Sequence, residues 1–307
     1  MRSPAGRHEY WIGFGMLAVK TALLEISFLD EGPRQGPVVF LLHGWPDDIR
    51  AWGKTAPLLN AAGFRTIVPY LRGFGLTRFL TKETLRDGRG VALAQDVIDL
   101  ADALGVTNFF VAGHDWGARA AYLLAALFPS RVGKIAAMAL AFQPRGEFPI
   151  PAFPQARLFW YQWFMCTEGG AAAVRRDPVG FSKIQWDTWS PAGWYEEEEF
   201  EKTAMSFANP DWAAVTLSGY RSRFLPEAVD QRYDKLTQRL RDAAQLRTPT
   251  LVINGGADSC DPPDSFEEME HRFTGGYELL TLEGVGHFPP REAPYAVAKA
   301  LVRHFRN

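Results

Sequence analysis

The chain has 307 residues, of which 47% are hydrophobic and 22% charged, a composition that excludes wholesale disorder. Its 33 basic and 35 acidic residues give a formal charge of −2, so the charge gives no reason to expect nucleic acid or an anionic membrane as a partner. Aromatic residues are frequent, with 10 Trp, 22 Phe and 9 Tyr, and the fold or a binding site must accommodate many large rings.

The chain opens with a basic segment followed by an apolar run over 10–19. Glu9 interrupts the basic segment, and the run is too short to span a bilayer. We therefore interpret it as a first strand or a packed arm rather than a signal peptide. Cys166 and Cys260 lie far apart with no metal-like spacing to histidine, which favours free thiols in a reducing, cytoplasmic compartment.

Short apolar runs then alternate with segments of helical periodicity, which predicts βαβ units and a parallel sheet. The predicted strands are Leu23–Leu29, Val38–Leu42, Phe64–Pro69, Asn108–Ala112, Ile135–Ala141, Thr250–Asn254 and Tyr277–Leu282. The predicted helices are Val91–Leu104, Trp116–Phe128 and Ala293–Phe305. The class of fold is therefore α/β.

The pattern changes at Phe142, after which Pro, Trp and helical polar segments replace buried strands until about Leu225. We predict a core built from residues 1–141 and 226–307, with residues 142–225 inserted as a helical lid after the sixth strand. Within the insertion, the acidic run Glu196–Glu199 is typical of a solvated helix face rather than of a metal site.

The motif with the most chemical content is Gly113-His114-Asp115-Trp116-Gly117, which follows a predicted strand and opens a predicted helix. This is the pattern of a nucleophile elbow, in which a sharp turn holds a nucleophile above the sheet. Asp115 occupies the nucleophile position, and its carboxylate is anionic without a base, so it can displace a leaving group at an sp³ carbon. The alternative is a solvated Asp that caps the helix.

The remaining catalytic candidates come from chain order, which runs nucleophile, acid, histidine. Of the six histidines, His287 stands in the expected place, a Gly-rich loop between the last predicted strand and the last helix. The acid is expected after a late strand, which makes Asp258 the first candidate. Asp261 and Glu147 remain alternatives, because the length of a loop cannot be read from sequence.

These motifs resemble the α/β-hydrolase superfamily over nearly the whole chain, and within it the branch of epoxide hydrolases and haloalkane dehalogenases. His43-Gly44-Trp45-Pro46 and Gly113–Gly117 are most similar to soluble epoxide hydrolases. The resemblance implies the α/β-hydrolase fold, a mostly parallel central sheet flanked by helices. It also implies an oxyanion hole made by the backbone N–H groups of Trp45 and Trp116.

The resemblance further implies two lid tyrosines that hydrogen-bond the epoxide oxygen. Tyr161 and Tyr220 match them, while Tyr195 and Tyr122 are weaker competitors. One departure is Tyr70, which stands where the family carries Asp in a loop that continues with Arg72-Gly73-Phe74-Gly75. Because that loop is mainly structural, the departure bears on the subfamily more than on the mechanism.

The expected reaction is the opening of an apolar epoxide to a vicinal diol through a covalent Asp115 ester, which water activated by His287 then hydrolyses. Six of the ten Trp lie in the insertion, so we expect rings to wall a mostly apolar pocket for a neutral small molecule. The predicted substrate-binding residues are His43, Trp45, Trp116, Trp160 and Trp163. No cofactor, metal, nucleic acid or membrane is expected, and a homodimer is a possibility.

Two other readings stay open. The same residues could serve a dehalogenase, in which the Trp116 indole donates to a leaving halide; haloacetate dehalogenases place one Arg after the nucleophile and another three residues later, and Arg119 matches only the second. A non-catalytic hydrolase-fold receptor is the third reading, which a degenerate triad would favour. Halide release against diol formation separates the first two.

Overall fold

The computed structural model describes residues 15–307, so most of the predicted arm at 10–19 lies outside the described residues. The described strands are β1 Leu17–Lys20, β2 Leu24–Glu31, β3 Val38–Leu42, β4 Arg65–Pro69, β5 Arg78–Phe79, β6 Phe109–His114, β7 Val132–Met138, β8 Thr250–Gly255 and β9 Tyr277–Leu282. Each predicted strand is present, and most bounds agree within two residues. β7 begins and ends three residues before its predicted bounds, and it ends at Met138 because the next residue, Ala139, has a φ of 53° and leaves the extended region.

The helices alternate with these strands in the first part of the chain. They are α1 Ala56–Ala61, α2 Gly90–Ala103, α3 Trp116–Leu127, α4 Phe153–Leu158, α5 Trp160–Cys166, α6 Glu168–Arg176, α7 Pro178–Thr188, α8 Glu197–Ala204, α9 Trp212–Arg221, α10 Asp234–Arg241, α11 Pro289–Glu292 and α12 Pro294–Arg306. Short 3₁₀ turns connect several of them. The three predicted helices correspond to α2, α3 and α12.

The strands form one sheet with the order β1-β2-β4-β3-β6-β7-β8-β9, and β5 pairs with β2. Pairing is parallel from β4 through β9 and antiparallel where β2 meets β1, β4 and β5. The mostly parallel sheet is confirmed. β8 is buried at every position and β3 at all but its first, as expected for central strands covered on both faces.

The segment between β7 and β8 contains α4 to α10 and no strand among the residues that the structure describes. α10 lies beyond residue 225 and packs on α3 of the core. One detail of the sequence prediction is corrected: the insertion follows the seventh strand, because the two-residue β5 precedes it. A strand this short carries no alternation that could be read from sequence.

Glycines allow the β6–α3 turn to pack directly against β3. A Cβ on Gly117 would lie 2.2 Å from the carbonyl oxygen of Leu42, and one on Gly113 would lie 2.1 Å from the carbonyl oxygen of Gly117. Both obstacles are backbone atoms, which have little freedom to move. Only glycine fits at these two positions.

We expect Gly117→Ala to lower the free energy of unfolding by about 1–3 kcal/mol, because the added methyl overlaps the β3 backbone. Urea denaturation followed by circular dichroism measures the change. The matched control is Gly169→Ala in α6, where a Cβ would meet nothing within 4 Å. Equal stabilities of the two variants would contradict the close approach.

Candidate active site

The carboxyl ends of four parallel strands place the candidate residues at one edge of the sheet. Trp45 follows β3, Asp115 follows β6, Asp258 follows β8 and His287 follows β9. Ligand sites of parallel α/β sheets lie in loops beyond this edge. Four segments that are distant in the sequence therefore meet at one edge of the sheet, as the sequence predicts.

Asp115 stands on a strained turn with φ 48° and ψ −108°. Such a conformation is costly for a residue with a side chain and is found where function requires it. Its carboxylate makes no hydrogen bond that caps α3, so the helix-capping alternative is not supported. Instead, Asp115 Oδ1 accepts a hydrogen bond of 2.7 Å from the backbone N–H of Trp45. The second predicted oxyanion-hole donor, the backbone N–H of Trp116, belongs to the residue directly after Asp115, at the start of α3.

His287 lies between two carboxylates. Its Nδ1 is 2.8 Å from Asp258 Oδ2, and its Nε2 is 3.8 Å from Asp115 Oδ2. The second separation is an ion-pair distance and too long for a hydrogen bond. Asp258 Oδ1 accepts from the backbone N–H groups of Cys260 and Asp261, so the carboxylate is fixed in orientation.

The two alternative acids are placed elsewhere. Glu147 is exposed. Asp261 is buried and lines the same cavity as Asp115, but its described contacts do not include a hydrogen bond to His287. Burial and the neighbouring Asp258 charge raise the pKa of Asp261 to about 7. Of the three acids considered, Asp258 is the one that meets the histidine.

The charges of this site are strongly coupled. Burial by itself lowers the pKa of His287, but the charges of Asp258 and Asp115 outweigh it and raise this pKa to about 10. Burial by itself would raise the pKa of Asp115, but the adjacent His287 outweighs burial and lowers this pKa below its usual range. At neutral pH the pair therefore exists as a carboxylate beside an imidazolium.

The backbone around His287 is held by Ser190 and Glu292. Ser190 Oγ accepts from the His287 N–H at 2.8 Å and donates to Glu292 Oε1 at 2.7 Å. Glu292 also accepts from the backbone N–H groups of Gly286 and Phe288. Ser190, which lies between α7 and α8, and the short helix α11 thus position the loop that carries the histidine.

The two predicted lid tyrosines converge. Tyr161 in α5 and Tyr220 in α9 are buried, with ring centroids 5.5 Å apart. Tyr220 Oη accepts from the Trp116 indole N–H at 3.2 Å, and Tyr161 Oη accepts from the Gln162 side-chain amide at 3.1 Å. Burial raises the pKa of both tyrosines well above its ordinary value, so both remain hydrogen-bond donors at neutral pH.

The competitors are engaged away from the nucleophile. Tyr195 donates to Asp187 and accepts from Lys183 on the lid. Tyr122 donates to the carbonyl of Leu140 at 3.0 Å.

A cavity of about 160 Å³ lies over the nucleophile. Its lining includes Asp115, His287, both tyrosines and a mixture of apolar and polar side chains. The remaining lining residues are Arg119, Ala139, Leu140, Ala141, Gln143, Phe148, Pro149, Pro151, Gln155, Phe159, Gln162, Arg223, Cys260 and Asp261.

None of the five predicted substrate-binding residues is part of this lining. Trp160 and Trp163 flank Tyr161 on α5, and the helical turn of about 100° per residue points them away when Tyr161 faces inward. Trp160 is 38% exposed, and Trp163 donates its indole N–H to the carbonyl of Ala156. His43 is fully buried beneath the site, where its Nε2 accepts from the Leu71 N–H. These predictions are corrected accordingly.

The expectation that tryptophans wall the pocket is corrected as well, because no described residue lining the Asp115 cavity is Trp. Trp45 is fully buried and stacks on Tyr161, with further ring contacts to Tyr220, Trp189 and Trp212. Its indole N–H donates to Thr216 on α9. Trp116 lines an adjoining cavity. Most of these rings join the lid to the core.

Charged side chains that the sequence reading did not single out also define the site. Arg291 donates to both carboxylate oxygens of Asp47, beside Trp45, and to Glu199 of α8 at 2.7 Å. Glu199 is thus an exception to the expected solvated acidic face. Arg223, which the sequence reading did not mention, lines the cavity. Periodicity carries no signal for such residues, because their roles come from distant partners.

Comparison with known proteins decides the family. The family model described as the α/β hydrolase fold matches residues 37–294. Epoxide hydrolase 3 of Siraitia grosvenorii is 34% identical, over 89% of this chain and 92% of that protein. The chain is an α/β-hydrolase of the epoxide hydrolase family. Epoxide hydrolase B of Mycobacterium tuberculosis is 36% identical over 121 residues, so there the match spans only 33% of the relative's length.

Solved structures of epoxide hydrolases share the whole architecture. A proposed epoxide hydrolase from Klebsiella pneumoniae is 38% identical with a TM-score of 0.88, covering 95% of this chain and 97% of that one. Epoxide hydrolase A of Mycobacterium thermoresistibile superposes with a TM-score of 0.78 at 24% identity, which supports the fold. None of the helices between residues 15 and 307 combines the length and apolarity that crossing a bilayer requires.

The departure at Tyr70 leaves the surrounding loop intact. Arg72 is buried and donates to both carboxylate oxygens of Asp96 at 2.6 Å, and also to Tyr233 Oη at 2.9 Å. The loop is therefore anchored by its arginine to α2 and to the segment before α10. This supports a structural role for the motif.

We expect the pKa of His287 to lie near 10 in the free enzyme and to fall in Asp115→Asn, because one of the two charges that stabilise the imidazolium is removed. Titration of the histidine ring resonances by NMR measures both values. The control is Asp234→Asn on the exposed face of α10, which should leave the titration unchanged. A neutral His287 at pH 7 in both forms would contradict the coupling.

Proposed function

We propose that this protein hydrolyses epoxides to vicinal diols through an ester formed on Asp115. The observation that carries the proposal is the convergence of Asp115, His287, Tyr161 and Tyr220 on one cavity. A carboxylate nucleophile, a histidine base and two buried hydroxyl donors are the groups that ring opening and ester hydrolysis need. The lid that supplies the tyrosines corresponds to residues 142–225, over a core formed by the rest of the chain.

In the first step, an Asp115 carboxylate oxygen attacks a ring carbon, and the bond from that carbon to the epoxide oxygen breaks. Tyr161 and Tyr220 hydrogen-bond the oxygen as negative charge develops on it, and one of them transfers its proton to the alkoxide. The product is a hydroxyalkyl ester of Asp115. The strained turn and the Trp45 N–H hold the carboxylate in the attacking position.

Formation of the ester switches on the second step. Alkylation neutralises Asp115, so His287 loses one of the two charges that kept it protonated, and its pKa falls. The imidazolium then gives up its proton, which restores the hydroxyl of the tyrosine that protonated the alkoxide. The neutral imidazole then takes a proton from water, which attacks the carboxyl carbon of the ester. The backbone N–H groups of Trp45 and Trp116 face the resulting oxyanion, and its collapse releases the diol and restores the carboxylate.

The described geometry favours epoxide opening over dehalogenation. The Trp116 indole N–H, which a leaving halide would need, donates to Tyr220. The two tyrosines would have no role in displacing a halide. We further propose a cytoplasmic location, which the two free cysteines support, while a homodimer stays a prediction.

Replacing His287 with Gln should stop turnover after the first step, because attack by Asp115 does not use the imidazole as a base. With a terminal epoxide in excess, intact-protein mass spectrometry should then find one substrate mass added per molecule, on the peptide that carries Asp115. The control Asp115→Asn should show no added substrate mass. Diol formation by His287→Gln at the wild-type rate would rule out the assigned base.

Single turnover of wild-type enzyme in ¹⁸O-water should place the heavy oxygen in the Asp115 carboxylate and leave the first diol unlabelled. This follows because water attacks the carboxyl carbon and not the epoxide. Mass analysis of the diol and of the Asp115 peptide gives the result. Label found directly in the first diol would exclude the covalent ester.

Tyr161→Phe and Tyr220→Phe should each slow ester formation by roughly 10- to 100-fold, the value of a hydrogen bond to a charged oxygen. The double variant should lose nearly all ring opening, since no donor remains for the alkoxide. Stopped-flow measurement of ester formation separates this effect from substrate binding. The matched control is Tyr195→Phe, whose hydroxyl bonds Asp187 on the outer lid and should not affect the rate.

A further inference from the structure

Two arginines at the active-site cavity make no ion pair with any residue that the structure describes. Arg119 of α3 and Arg223, just after α9, both line the cavity that holds Asp115. Arg119 donates to Gln143 Oε1 at 2.6 Å and Arg223 to Gln162 Oε1 at 3.0 Å. Within residues 15–307, neither guanidinium has a carboxylate oxygen within 4.0 Å.

The fully buried arginines of the same protein behave differently. Arg72 is paired with Asp96, and Arg291 with Asp47. Pairing of this kind is the rule for guanidinium groups removed from water. The cavity arginines, in contrast, make no ion pair with a described residue, and the nearest opposing charge in their cavity is that of Asp115.

Arg119 also has one buried N–H donor that is not used by the described residues. Its Nε is buried and has no hydrogen-bond partner among the described residues. A buried N–H without an acceptor is unfavourable and is generally explained by a ligand, an ion or water. Burial, together with the Arg223 charge, lowers the pKa of Arg119 to about 9, so the group is still protonated at neutral pH.

The two guanidinium groups share one aromatic neighbour. Both pack on the Phe148 ring, with their central carbons 5.2 Å and 4.3 Å from its centroid. Like charges on one ring repel, and an anion bound between them would relieve that repulsion. The planar, forked donors of arginine match the two oxygens of a carboxylate.

The position of the pair relates it to the reacting centre. Arg119 and Arg223 line both the Asp115 cavity and an adjoining cavity of about 220 Å³, so they stand at the junction of the two. The Arg223 guanidinium carbon is 4.4 Å from the centroid of the Tyr220 ring. A group bound at the junction therefore lies a few atoms from the position of the epoxide.

We propose that the substrate is an epoxide bearing a carboxylate a few carbon atoms from the ring, and that Arg119 and Arg223 bind this carboxylate at the junction of the two cavities. The inference rests on the proposed function and replaces the neutral substrate expected from composition with an amphiphilic one. Repulsion from Asp115 is offset by the imidazolium of His287 beside it.

The test compares terminal epoxides of butanoate, pentanoate and hexanoate with their primary amides, which have the same shape and no charge. We expect kcat/KM for the best acid to exceed that for its amide by at least roughly 10-fold. Arg119→Gln should lower kcat/KM for the acid by roughly 10- to 100-fold, chiefly through KM, and lower it much less for the amide. Arg119→Lys, which keeps the charge, should recover part of the loss.

Arg223→Gln gives a second, independent variant with the same expectation. The control is Arg176→Gln on the exposed surface of α6, which removes the same charge far from the cavity and should change neither substrate. Wild-type rates that do not differ between acids and amides would overturn the proposal. So would an equal loss for acid and amide in Arg119→Gln.

Binding of unreactive pentanoate and pentanamide, measured by calorimetry, separates this proposal from the proposed function. Turnover of the amides without Arg119-dependent binding of pentanoate would refute the carboxylate site and leave epoxide hydrolysis standing. Arg119-dependent binding of pentanoate without diol from any epoxide would refute the proposed function and retain the anion site.

Discussion

Trp45 contacts both the nucleophile and the helices inserted between β7 and β8. Its backbone N–H holds the Asp115 carboxylate at 2.7 Å, while its buried ring stacks on Tyr161 and its indole donates to Thr216. The loop that holds the nucleophile therefore also packs against the inserted helices.

Electrostatics couples the two chemical steps in the proposed cycle. Asp115 and Asp258 together keep His287 protonated while the nucleophile is free, which stabilises the carboxylate within a buried site. When the substrate alkylates Asp115, one of these negative charges is lost, and the same histidine becomes a base. The order of the steps follows from charge, since the base becomes available only after the ester has formed.

Arginines show how the same residue type serves structure or recognition. Arg72 and Arg291 are buried against carboxylates and connect the core to neighbouring segments. Arg119 and Arg223 face a cavity and bond only to amide or carbonyl oxygens among the described residues. The presence or absence of an acidic partner, and not burial alone, distinguishes the two uses.

Sequence alone determined the strand and helix order, the elbow at Asp115 and the position of His287, because periodicity, glycine spacing and chain order are local properties. It could not select Asp258 over Asp261, because the two acids lie three positions apart in one loop and only the path of the backbone decides which of them faces His287. Nor could it show that the tryptophans pack between the inserted helices and the core, or that Arg119 has no acidic partner among the described residues. Those properties depend on side-chain direction and on contacts between distant segments, which only tertiary packing fixes.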